Sequence, residues 1–200
     1  VNGFDAPNAP EIDDFVINGE DGGSETFFIS EEQLESLLAS DSGINLLLQA
    51  NRNITIQDLS DNALSFSSGF DSISFAADAD KNGVGSVIMN DTNDEIITSG
   101  ANLDISGVTL QLGKLLLSDP FGFDESGNLN LLASDQISVG SIDTNASSAF
   151  GGSSTPVGTG GNVTINAQNQ ITTGDIVRWG RCFYSQRQSS TNNWHHFYTE

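Results

Sequence analysis

From Ile44 onward the chain alternates apolar with polar residues in short runs: "NLLLQA", "NITIQD", "SISFAAD", "NLDISG", "VTLQLG" and "NVTINA". Asn, Asp, Gly or Ser separates one run from the next. A period of two turns one side chain inward and the next to solvent, so these runs predict short β-strands. The spacing of the apolar positions repeats as well. Leu46, Leu48, Ala50, Ile54, Ile56 and Leu59 occupy offsets 0, 2, 4, 8, 10 and 13. Leu129, Leu131, Ala133, Ile137, Val139 and Ile142 reproduce those offsets. Val163, Ile165, Ala167, Ile171, Thr173 and Ile176 do so again, with Thr173 alone breaking the apolar rule. Ile73, Phe75 and Ala77 start a fourth copy, which an Asp-rich loop interrupts.

Three inward residues, a tight polar corner and two or three more inward residues describe two faces of one solenoid coil. The constant Ala fits a corner where a larger side chain would clash with coils above and below. Neighbouring coils would bond as parallel strands ~4.8 Å apart, because no coil can bury its face alone. The competing arrangement is a β-sandwich, whose strands have no reason to share fixed offsets across a corner. At roughly 20 to 25 residues per coil, residues 44–176 predict about five or six coils. Insertions such as "FGFDESGN" and "SSAFGGSSTPVGTGG" account for unequal spacing between copies.

Ahead of the strands, residues 27–43, "FFISEEQLESLLASDSG", predict one short α-helix. Ser30 and Gln33 form a capping box, and Ile29 before the cap can staple onto Leu34. Glu31 and Glu32 suit the positive end of the helix dipole. Leu34, Leu37 and Leu38 make the buried stripe, and Gly43 ends the segment. Residues 1–26 are acidic and rich in Gly and Asn, which predicts a linker or peripheral segment. The first residue is Val1, so a mature form or interior fragment is expected, with any export signal outside this sequence.

The charge balance narrows the partners. With 27 acidic side chains against 6 basic ones, the net charge of −21 repels nucleic acid phosphates and anionic lipid. No apolar run approaches the length of a membrane span, so membrane insertion is not expected. The same charge favours divalent cations. Hydrophobic content is only 36%, yet the apolar residues are too regular for a disordered chain. A single Cys182 excludes an intrachain disulfide framework.

The candidate chemistry centres on "FAADADKNGVGSVIMND", Phe75 to Asp91. Asp78, Asp80, Asn82 and the carbonyl of Val84 match the first four donor places of a calcium loop, with Gly83 at the turn. The EF-hand's twelfth place, a bidentate Glu, is Met89 here, and the flanks are strands. A calcium sensor is therefore excluded. Two readings stay open: a turn that binds Ca2+, with Ser86, Asn90 or Asp91 completing the shell, or a solvated turn without an ion. No cofactor is required on either.

An enzyme is not expected. Residues 1–176 contain no His, Cys, Trp or Tyr, and their positive charges are Arg52, Lys81 and Lys114. Ser/His/Asp, Cys/His and zinc chemistry lack their groups there. The best carboxylate pairs are Asp13 with Asp14, Asp78 with Asp80, and Asp91 with Asp94. In so acidic a chain a solvated face explains them. Arg52 reads as a surface residue. Phe27, Phe28, Phe66, Phe70, Phe75, Phe121 and Phe123 read mostly as core, while "DPFGFDESG" reads as an exposed loop for partner contact.

"ISEEQLESLL", "LLLQANRNITIQDL", "FAADADKNGVGSV", "ITSGANLDISGVTLQLGKL" and "GGNVTINAQNQITTGDI", in that order over most of 28–176, resemble filamentous haemagglutinin-type exoproteins of Gram-negative bacteria. The resemblance implies an all-β, right-handed parallel β-helix (β-solenoid) over residues 44–176, exported by two-partner secretion to the medium or the outer cell surface. It implies a structural or adhesin role, loops that meet a surface receptor or glycan, and an outer-membrane transporter for the parent protein. The family's Asn-Pro-Asn-Gly secretion motif does not occur in this sequence. Two alternatives remain: a fragment of a β-helical carbohydrate-active enzyme, or an inert spacer.

Residues 177–200 change character. "VRWGRCFYSQRQSSTNNWHHFYTE" holds both Trp, both Tyr, both His, the Cys and three of the four Arg, with Glu200 as its lone acid. Either a genuine cap covers the last coil or a shifted reading frame has replaced the natural continuation, and the abrupt reversal of every bias favours the second. His195, His196 and Cys182 are then not a metal or catalytic site.

Overall fold

The computed structural model describes residues 29–36, 43–66, 69–118, 126–145 and 160–178, together with the backbone of 16–17 and 185–186. The chain is mostly β, with one short helix, and every strand pairing among the described residues is parallel.

Strand β1 (Val16–Ile17) and helix α1 (Glu31–Ser36) come first. The strands then run in five passages. The first holds β2 (Ile44–Ala50), β3 (Ile54–Ile56) and β4 (Ala63–Ser65); the second holds β5 (Phe70–Ala77), β6 (Ser86–Met89) and β7 (Glu95–Ile97). The third holds β8 (Asn102–Leu112) and β9 (Lys114–Leu116), and the fourth β10 (Leu129–Val139) and β11 (Ile142–Asp143). The fifth holds β12 (Val163–Ala167), β13 (Gln170–Thr173) and β14 (Ile176–Val177), and β15 (Ser185–Gln186) follows. One sheet runs β1-β2-β5-β8-β10-β12-β15, a second β14-β11-β9-β7-β4. The long strands β8 and β10 carry the first sheet round a corner, where they also pair with β6 and β13.

Register follows from the alternation. Leu46, Ile73, Leu103, Leu129 and Val163 lie opposite one another in successive strands, as do Leu48, Phe75, Ile105, Leu131 and Ile165. On the next faces Ile54, Val87, Leu110, Ile137 and Ile171 align, then Leu64, Ile96, Leu115, Ile142 and Ile176. Most of these side chains are fully buried, so the columns are the core. Phe66 and Phe70 meet edge to face at 5.5 Å, and Phe66 leans on Phe75 at 6.5 Å, so these three aromatics are core. Phe27, Phe28, Phe121 and Phe123 lie outside the described residues.

The Ala corner is observed: Ala50 lies opposite Ala77, and Ala133 opposite both Gly107 and Ala167. Three expectations change. Successive passages repeat after 27, 30, 26 and 34 residues along the Leu46 column, longer than expected. Leu59 does not enter the third-face column; Leu64 takes that place, and Leu59 is buried within the loop before it. The "NLDISGVTLQLGKL" stretch proves to be a full passage, one residue shorter at the corner, where Ala133–Gln136 faces Gly107–Thr109 with a register shift.

The helix closes one end of the second sheet. Its capping box is reciprocal: Gln33 N–H donates to Ser30 Oγ and Ser30 N–H to Gln33 Oε1, both at 3.1 Å. Leu34 is buried and Ile29 packs on the core. Glu35 Oε1 accepts the Ser65 N–H at 2.7 Å, and Glu31 Oε2 accepts that of Ser60 at 3.3 Å. Carboxylates thus satisfy amides along and beside the otherwise open β4 edge. Leu37 and Leu38 lie outside the described residues.

At the opposite end, Val177 pairs within β14 and the Arg178 guanidinium donates to Gly160 O and Asn162 Oδ1, each at 3.1 Å. Ser185 and Gln186 pair with Thr164 and Ile165 of β12. Cys182, His195 and His196 lie outside the described residues. Among the described residues no helix is long and apolar enough to cross a membrane.

Candidate metal centre

Two groups of oxygen donors stand out, one in a loop of the second passage and one shared between loops of the first and second. The first is the expected loop after β5. Asp78 leaves the strand at φ +56°, and Lys81 (+56°) and Gly83 (+82°) complete the reversal. Asp78 Oδ1 accepts the N–H groups of Gly83 (3.0 Å) and Val84 (3.3 Å). Asp80 Oδ2 accepts from Asn82 Nδ2 at 2.7 Å, and Asn82 Oδ1 accepts the Val84 N–H at 2.9 Å. The side chains of Asp78, Asp80 and Asn82 therefore hold the loop's own amides, the usual work of Asx turns. Val84 is 54% exposed. The loop packs on the corner below it, with Asp78 N–H on Arg52 O at 3.4 Å and Ser86 N–H on Asn53 Oδ1 at 2.9 Å. Arg52 itself is exposed.

Of the residues expected to complete that loop's shell, Ser86 follows the loop directly as the first residue of β6, while Asn90 and Asp91 lie beyond that strand. Met89 is fully buried in the core. Asn90 donates from Nδ2 to Gln57 Oε1 at 2.9 Å. Asp91 joins a second group, with Asp58 and Asp94, in which one carboxylate oxygen from each lies within 4.8 Å of the others. Sequence reading paired Asp91 with Asp94 but missed Asp58. The fold supplies it: β3 pairs with β6, so Ile54 faces Val87 and the loop after Ile56 lies on the loop after Met89. Four residues on from each of those partners stand Asp58 and Asp91.

Asp94 sits at the base of this group, fully buried. Its Oδ2 accepts the Leu59 N–H at 3.1 Å, while its Oδ1 accepts no hydrogen bond among the described residues. Its place in the fold explains the burial. Counting back two residues from the aligned Ile96, Leu115, Ile142 and Ile176 gives Asp94, Gly113, Gly140 and Gly174, one corner position in four passages. A Cβ at Gly113 would overlap the Asp94 carbonyl oxygen, and one at Gly140 would lie 2.9 Å from that of Gly113. The later passages turn this corner with a bare backbone. The second turns it with a carboxylate, which the wider loops at 57–62 and 90–94 accommodate. Among the described residues, the only ion pair at this corner is Lys114 Nζ on Glu95 Oε2 at 2.8 Å.

Comparison with known protein families, with curated proteins and with solved structures finds no match. Asp13 and Asp14 lie outside the described residues.

Proposed function

We propose that this chain is a non-catalytic structural or adhesive segment of a bacterial exoprotein of the filamentous haemagglutinin type, secreted or held on the outer cell surface. The backbone winds as a right-handed parallel β-helix, a stiff acidic rod that displays corner loops, including 78–85, to a surface receptor or glycan. The observation that carries this reading is the Leu46–Ile73–Leu103–Leu129–Val163 column, one residue from each passage in unbroken parallel register. Such a column stiffens the chain along its axis, since each passage is bonded only to its neighbours. The right-handed sense rests on a general rule. A chain that leaves a sheet and returns to a parallel neighbour does so right-handedly in nearly all proteins.

The chemistry agrees. Residues 1–176 offer no His or Cys, and the groups of the Asp-rich loop are engaged by its own amides. The test is to coat beads with the chain, measure capture of glycans and whole cells, and assay polysaccharides for cleavage with and without Ca2+. The reading expects capture and no cleavage. Cleavage lost in Asp80→Ala would replace it with a β-helical carbohydrate-active enzyme, and absence of both with an inert spacer.

A further inference from the structure

We infer that Asp58, Asp91 and Asp94 form a calcium site that ties the first passage to the second. Their three oxygens lie within 4.8 Å of one another. Two oxygens bound to one Ca2+ at ~2.4 Å can be at most about 4.8 Å apart, so each pair in the cluster is close enough to share one ion. Acidic clusters are common in so acidic a chain, and proximity alone would not point to an ion. The buried member does. Asp94 is 0% exposed, and its Oδ1 has no hydrogen-bond donor among the described residues. A buried carboxylate oxygen without a donor is costly, and a cation supplies what is missing.

Among the described residues nothing else at this corner takes that role. The Leu59 N–H already serves Asp94 Oδ2, and the Lys114 ammonium is held by Glu95. Asp91 Oδ1 is occupied by the Asn93 backbone and side-chain N–H groups, both at 2.8 Å, which leaves its Oδ2 for the ion. Asp58 accepts no hydrogen bond among the described residues and is exposed. It forms the mouth of the site, where water completes the shell. Three hard carboxylate donors with no nitrogen or sulfur select Ca2+ over zinc, and magnesium, which sheds its water reluctantly, is rarely held by a protein carboxylate cage alone.

The ligands come from two passages, Asp58 after β3 and the other two after β6, 33 residues apart at the Ile54–Val87 pairing. Calcium would therefore act as a clamp between neighbouring passages, at a corner the later passages close with glycine.

Calorimetric Ca2+ titration and thermal melting of the full chain, followed by the same measurements on variants, test the site. The wild-type chain should bind Ca2+ and melt at a higher temperature with it. Asp58→Asn, at the exposed mouth of the site, should weaken Ca2+ there at least tenfold, each variant being compared with its own calcium-free melting temperature. Asp94→Asn should abolish the thermal response, and if that variant does not fold, Asp58→Asn decides. Asp78→Ala/Asp80→Ala should retain the response, separating this site from the loop after β5. No calcium response in the wild type, an undiminished response in Asp58→Asn, or loss in the Asp78/Asp80 variant alone would overturn the site.

Discussion

The backbone N–H of Asn162 donates at 2.9 Å to Oδ1 of Asn128, and the N–H of Asn128 donates at the same distance to Oδ1 of Asn102. Three asparagines, one at the same corner of each of three passages, thus form a ladder outside the sheets' own bonds. Asn102 extends it down to Asp71 O at 3.1 Å, and Arg178 extends it up from Asn162. The ladder fixes the corner at the start of the strands that carry Leu103, Leu129 and Val163, neighbours in one column of the core.

Removing its middle rung should be measurable. Asn128→Ala loses the acceptor for the Asn162 N–H and the side-chain Nδ2 bond to Asn102 Oδ1, while its backbone N–H bond to Asn102 stays, and should lower unfolding free energy by about 1 kcal/mol in urea denaturation. Asn130→Ala, which loses one exposed mid-strand bond to Asp104 Oδ1 at 3.1 Å, should cost less than half as much.

Close backbone approach is a second constraint. A Cβ at the buried Gly161 would overlap the carbonyl oxygen of Gly127 and lie 2.9 Å from that of Ser126. Both obstacles are main chain, so the passages must separate. Gly161→Ala should destabilise the chain by about 2–3 kcal/mol, read from the same denaturation curves.

The aromatic stack predicts the largest single loss. Phe75 is 1% exposed, sits between Leu48 and Ile105 in its column, and meets Phe66. Phe75→Ala should cost about 3–5 kcal/mol by thermal or urea unfolding, with the spread set by how far neighbouring passages collapse.

The loop after β5 separates shape from charge. Asp78 stands at φ +56° and accepts two amides through Oδ1. Asn tolerates that backbone and keeps a carbonyl acceptor, so Asp78→Asn should cost less than about 0.5 kcal/mol. Asp78→Ala should cost about 1–2 kcal/mol and speed hydrogen exchange at the Gly83 and Val84 amides.

Much of this architecture is legible in the sequence because a strand's period of two is also the period of burial. The copies beginning at Leu129 and Val163 share their offsets, and the structure sets them side by side through Ile142 and Ile176. The third passage is harder to see, since Gly107 replaces the marker Ala and its corner is one residue shorter, which shifts every later offset. Leu59 misleads for a related reason: the loop at 57–62 delays β4, so an apolar residue at the expected offset falls in a turn. The acidic cluster left no local pattern. Asp58 and Asp91 become neighbours only through the β3–β6 register, and among 27 acidic residues no pair so distant draws notice.

The central claim, parallel passages stacked in register, is tested most directly by one distance. Gln49 aligns with Ala76, Ser106, Leu132 and Asn166 in turn, four strand spacings, so backbones 117 residues apart in sequence should lie about 19 Å apart. Spin labels at Gln49→Cys and Asn166→Cys, in a Cys182→Ala background, should give one narrow pulsed-dipolar distribution near that value. A broad distribution, or one centred beyond about 30 Å, which is more than six strand spacings, would contradict the stacked arrangement.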